Sequence, residues 1–113
     1  MPAREMRMDM FTRALMRRDI AKAKAHAEKL FKIVGKDEWG KGYAKAVEGM
    51  LGSLDDEDSL IFMVLNSKPD SNIVDSYLKE FEALSAQDFR GDFDRGYYTA
   101  WVEFLKAYKT RRI

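Results

Sequence analysis

Apolar positions recur along this chain with a helical period. Ile20, Ala23, Ala27, Leu30, Phe31 and Val34 form one stripe, a spacing that places them on one side of an α-helix. The pattern predicts a helix over 20–34, with Asp19 as its N-cap and Gly35 just beyond its end. Met8, Phe11, Leu15 and Met16 make the stripe of a preceding helix over 6–18. Asp37 is positioned to cap a third helix over 38–53. Ile73, Tyr77, Phe81 and Leu84 mark a helix over 72–86, opened by Asn72 with Asp75 in a capping arrangement. A last helix is predicted over 92–108, after the break at Gly91 and Asp92. Its basic end, Lys109-Thr110-Arg111-Arg112, complements the negative end of the helix dipole.

One segment is ambiguous by periodicity. Asp55-Asp56-Glu57-Asp58-Ser59 precedes the apolar run Leu60–Leu65. Six apolar residues fit a buried helix or a buried strand. No second strand candidate exists to pair with, and acids favour a helix start. A short helix over 56–66 is therefore expected, followed by a loop at Asn66–Ser71. The sum is an all-α fold: a single-domain bundle of five to six helices spanning residues 1–113.

The chain also echoes itself. When residues 39–51 are set against residues 93–105, Trp39 meets Phe93, Lys41 meets Arg95, Gly42 meets Gly96 and Tyr43 meets Tyr97. Ala46 then meets Ala100, Met50 meets Phe104 and Leu51 meets Leu105. This suggests two approximately duplicated helical hairpins plus an N-terminal helix. The offset of 54 and the order Trp-x-x-Gly-Tyr-x-x-Ala set the repeat apart from tetratricopeptide-type hairpins, whose period is about 34. A glycine inside a helix costs about 1 kcal/mol relative to alanine. Two such glycines in matching places imply a shared reason, and the expectation is that the two motif helices cross at Gly42 and Gly96. Trp39, Tyr43, Tyr97 and Trp101 are the positions at which paired aromatics would form a ligand pocket. An aromatic stripe at helical spacing is more often core, and core is the preferred reading.

Composition narrows the class. The 113 residues are 46% hydrophobic and 35% charged, with 20 Lys and Arg against 19 Asp and Glu. Near-neutrality gives no global argument for a nucleic-acid or membrane partner. The absence of cysteine removes disulfides, thiolate metal sites and cysteine nucleophiles. The opening residues lack the apolar stretch of a signal peptide, and no run approaches the ~20 residues that span a bilayer. A cytoplasmic protein with no membrane partner is expected. Few side-chain amides and dense charge fit a thermophile, although seven methionines point the other way. Those at 1, 6, 8, 10 and 16 could form an adaptable contact surface or pack inward.

Charge is unevenly distributed. Residues 1–36 hold ten basic and four acidic side chains, and residues 37–66 hold two and seven. Arg13, Arg17, Arg18, Lys22, Lys29 and Lys36 give the first two helices a basic side that could meet nucleic acid or a protein partner, extended by Lys106, Lys109, Arg111 and Arg112 if the last helix lies nearby. No nucleic-acid-binding signature accompanies them, and a solvated charged face is the blander reading.

Catalytic chemistry finds little to work with. His26 is the only histidine and has no inferable partner. One histidine without cysteine makes no zinc site. Asp92, Asp94 and Glu103 fit positions 1, 3 and 12 of a calcium loop, but Tyr97 stands where the turn glycine belongs. The acids at 55–58 read as caps and solvated charge, and no phosphate loop, serine elbow or HExxH occurs. The expectation is a non-enzymatic module without metal or cofactor, acting by contact with another protein or with itself. A nucleic-acid-associated protein using the basic N-terminal face is the alternative, and a small-ligand binder at the paired aromatics a second one.

Overall fold

The computed structural model describes residues 3–87 and 90–111. It is all-helical, and the order is α1 (Ala3–Met16), α2 (Ile20–Val34), α3 (Glu38–Gly52), α4 (Leu60–Phe62), a π-helical turn over Met63–Ser67, α5 (Ser71–Ser85) and α6 (Asp92–Arg111).

Local chemistry starts most of these helices. Asp19 accepts from the Lys22 amide at 3.2 Å, and Asp37 from the Gly40 amide at 2.8 Å, each satisfying a donor that the helix leaves free. Gly35 ends α2 at a φ of 79°. The cap of α5 is Asp70, which accepts from the Ile73 amide at 3.2 Å, and not Asn72. Asp70 stays extended after Pro69, so Asn72 already lies in the first turn.

The central segment differs from the expected 56–66 helix. The four acids lie in a turn before the helix, which starts at Leu60 with Ser59 as its cap. The Ser59 hydroxyl is the acceptor for the Phe62 amide, at 3.1 Å. A serine hydroxyl can cap while its chain stays extended, so the carboxylates remain in solvent. After one turn the helix widens to π geometry, and the Tyr108 hydroxyl on α6 donates to the Val64 carbonyl at 3.0 Å.

Tertiary contacts extend two helices beyond their apolar stripes. The start of α1 is held by Arg4 against Glu103 of α6. The end of α6 is held by Lys109 against Asp75 of α5. Arg112 lies outside the described residues, as does Met1. The other early methionines divide: Met8 is core, Met10 and Met16 are half-buried, and Met6 is 42% exposed.

Helices α3 and α6 run through the middle. Tyr43, Ala46, Val47 and Met50 of α3 and Ala100, Phe104 and Leu105 of α6 are fully buried, with Met8, Phe11 and Leu15 of α1 packed over them. The two central helices cross at Gly42 and Gly96. A Cβ on Gly42 would sit 2.7 Å from the carbonyl carbon of Phe93 and overlap its oxygen. A Cβ on Gly96 would sit 2.9 Å from the carbonyl carbon of Trp39 and overlap its oxygen. Each glycine thus faces the residue three places before the other. Only a residue without a side chain lets the backbones approach this closely, which outweighs its helix cost.

Candidate functional site

The reciprocal crossing brings matching positions of the 39–51 and 93–105 segments together on its two sides. On one side, Tyr43 of α3 reaches Glu103 of α6, its hydroxyl donating to Oε1 at 2.6 Å. Arg4 of α1 completes the cluster, donating from Nη2 to Glu103 Oε2 at 2.7 Å and from Nε at 3.1 Å. Its guanidinium lies over the rings of Trp39 and Tyr43, at 5.1 and 5.9 Å from their centroids. Those rings stack at 5.5 Å. Burial, then the neighbouring Glu103 carboxylate and the hydrogen bond to it, push the Tyr43 phenol well above its ordinary range. The phenol is therefore a fixed donor and not a proton shuttle.

On the other side, the position that corresponds to Tyr43 is Tyr97, and the position that corresponds to Glu103 is Gly49. No carboxylate is there to fill the space. A Cβ on Gly49 would touch nothing within 4 Å. The result is an open groove of 360 Å³ lined by Ala46, Gly49, Phe81, Tyr97, Tyr98 and Trp101. Phe81 of α5 sets its far wall, 5.8 Å from the rings of both Tyr98 and Trp101. Tyr97 meets Tyr98 edge-on at 5.4 Å, and its hydroxyl has no hydrogen-bond partner among the described residues. Phe93, one turn before Tyr97, is 36% exposed. Its counterpart Trp39 is covered by Arg4.

Ser53 and Ser59 form the rim of this groove. The Ser59 hydroxyl donates to the Ser53 carbonyl at 2.9 Å, closing the acidic turn 54–58 between these two lining residues. Asp55, Asp56, Glu57 and Asp58 are all exposed and make no ion pair among the described residues. Asp56 accepts from the Asp58 amide at 3.0 Å.

The four aromatic positions anticipated as a pocket are divided between the two sides. Tyr43 is buried beside half-buried Trp39 in the arginine cluster, whereas Tyr97 and Trp101 line the groove. The residues that complete the groove, Gly49, Phe81 and Tyr98, were not anticipated. The alignment held the signal for Gly49, since it stands opposite a glutamate. Nothing in the sequence pointed to Phe81 beyond its helical stripe.

The basic residues separate as well. Arg13 of α1 and Arg17 just past its end meet Lys22 and His26 of α2 around a surface pocket of 210 Å³, which the helix cap Asp19 also lines. Lys29 lies one turn beyond His26. Arg18 turns away to Asn66, its Nη2 donating to Oδ1 at 2.6 Å. Lys36 lies past the opposite end of α2, roughly 20 Å along the helix from Lys22 at 1.5 Å per residue. Of the basic residues of α6, Lys109 pairs with Asp75 and Lys106 lies in a groove with Glu5 and Asp9, so neither extends this face, and the Arg111 side chain lies outside the described residues.

His26 faces Arg7, whose Nη1 is 3.0 Å from Nδ1. Partial burial and the charges of Arg7, Lys29 and Lys22 lower its pKa below the ordinary value, so the ring is a neutral acceptor at pH 7. Asp92 and Asp94 lie in the first turn of α6, while Glu103 is engaged by Arg4 and Tyr43. Among the described residues, no three His, Cys, Asp or Glu side chains gather as metal ligands, and no helix is long and apolar enough to cross a membrane. No family model, curated protein or solved structure matches the chain.

Proposed function

We propose that the protein is a non-catalytic interaction module, acting in the cytoplasm, that docks a partner protein in the groove beside Gly49 and Tyr97. The observation that carries this reading is the difference between the two sides of the α3–α6 crossing. One is closed by Glu103 and Arg4 from within the chain, and the other is an open groove lined by four aromatic rings around a glycine. Aromatic side chains offer large contact area at low conformational cost, and rings of this kind anchor protein interfaces. A phenol held protonated and a histidine hydrogen-bonded to an arginine support a binding role over proton transfer.

The test is affinity purification from the native host with the wild-type protein and with Gly49→Phe, whose ring fills the groove. A partner recovered with the first and lost with the second supports the reading. A partner set identical for both proteins overturns it.

The pocket between α1 and α2 favours a second reading. Arg13, Arg17 and Lys22 converge on one opening with a neutral histidine, an arrangement suited to a phosphate of a nucleic acid. Gel-shift binding that weakens steeply with salt and is lost in Arg13→Ala/Arg17→Ala supports it, and no shift at low salt removes it.

A further inference from the structure

The chain shows how one side of its central crossing is filled, and so what the other side lacks. Arg4 reaches the first side from the opening turn of α1. It lies flat on Trp39 and Tyr43 and is held by Glu103. On the second side the chain's own Arg90 lies over Tyr98, outside the groove lining, and among the described residues no guanidinium lies over Tyr97. This side has the ring of Tyr97, with Phe93 one turn earlier on α6 and outside the groove lining, and the turn that closes at Ser53 and Ser59 carries four exposed carboxylates that make no ion pair among the described residues.

We propose that the groove beside Gly49 receives an arginine side chain from a segment of the partner protein, stacked on Tyr97 and steered in by the acidic turn 54–58. This deepens the docking function proposed above and rests on it. Three observations favour arginine over other occupants. A planar guanidinium stacks on an aromatic face and donates sideways at the same time, which an ammonium does less well. The turn between the two rim serines carries four exposed acids, so an acidic segment is repelled and a basic one attracted. The rings of this side already accept a guanidinium, since Arg90 lies over Tyr98 at 5.8 Å, outside the groove lining.

The experiment selects displayed random peptides on the full chain and measures the selected peptides, dye-labelled, by fluorescence anisotropy. Each is tested against wild type, Gly49→Phe and Gly49→Glu. The site of substitution is open to solvent, and a melting temperature at or above wild type verifies that both variants fold. Three results are expected. Binding is lost in Gly49→Phe. It weakens about tenfold when the peptide arginine becomes lysine or citrulline. It strengthens in Gly49→Glu, which installs the counterpart of Glu103. Peptides that depend on Gly49 but tolerate loss of arginine overturn this inference and leave the docking reading intact. Selected peptides of which none depends on Gly49 overturn both.

Discussion

Tyr43 donates its hydroxyl to Glu103 across the α3–α6 crossing at 2.6 Å, and the same carboxylate holds Arg4 of α1. One side chain thereby joins three helices. Glu103→Ala leaves the buried phenol without an acceptor and is expected to cost about 2–3 kcal/mol. Tyr43→Phe removes the donor as well, so the double variant should be less destabilised than the two single costs added together. Urea denaturation of the four proteins measures this, and strictly additive costs would deny the coupling.

The two sides of the crossing predict opposite outcomes for one substitution in one helix. Gly42→Ala forces α3 away from the Phe93 carbonyl and is expected to cost about 3 kcal/mol, lowering the melting temperature by roughly 10 °C. Gly49→Ala meets open space and removes a helix-interior glycine, so it is expected to stabilise by about 0.5–1 kcal/mol. Thermal melts of both variants check the pair, and a shift of the same sign for each contradicts the packing described.

This contrast shows what the sequence could reveal. Helix existence was legible because the apolar stripes have one period and Asp19, Asp37 and Gly35 punctuate them. The crossing was legible because two glycines at matching places each carry a cost that only close approach repays. The groove was not, because it arises from an absence. Gly49 looks like any surface glycine until the helix opposite is in place, and then it stands where a carboxylate stands on the other side. The spread of the basic residues was not legible either. Arg18 and Lys36 share a charge with Arg13 and Arg17, but a left-handed turn at Arg18, with a φ of 60°, and the length of α2 keep them apart. The π-helical turn had no sequence signal, since it is held from α6 by Tyr108.

Tyr43 predicts an alkaline limit. A phenol whose pKa is raised on folding favours the folded state while it is protonated. Its contribution is complete below its unfolded pKa of about 10 and declines above that by up to about 1.4 kcal/mol per pH unit. Wild type should therefore lose stability more steeply than Tyr43→Phe between pH 10 and pH 11. Paired denaturation curves test this, and parallel curves would contradict it.

His26 predicts an acid response of the opposite sense. Its pKa is lowered in the fold, so the stability it contributes is present above its unfolded pKa of about 6.5 and is lost as pH falls below that. Protonation also breaks the acceptor role toward Arg7. The ring should titrate below the ordinary histidine value by NMR, and His26→Gln should flatten the pH dependence of stability between 6.5 and 5. A normal titration curve would show that the Arg7 contact does not form.

The arginine clasp between α1 and α6 joins residues 99 positions apart, and this has a consequence during synthesis. Of the described helices, α6 leaves the ribosome last. Until it does, Gly42 has no backbone to lie against, Trp39 and Tyr43 have lost a wall, and Arg4 has no carboxylate. Distant closure of this kind is slow relative to local helix formation. The nascent chain therefore presents the very aromatic rings that the finished protein covers, and an early stop before Glu103 should yield a sticky, helix-rich collapsed state in place of a shortened native one.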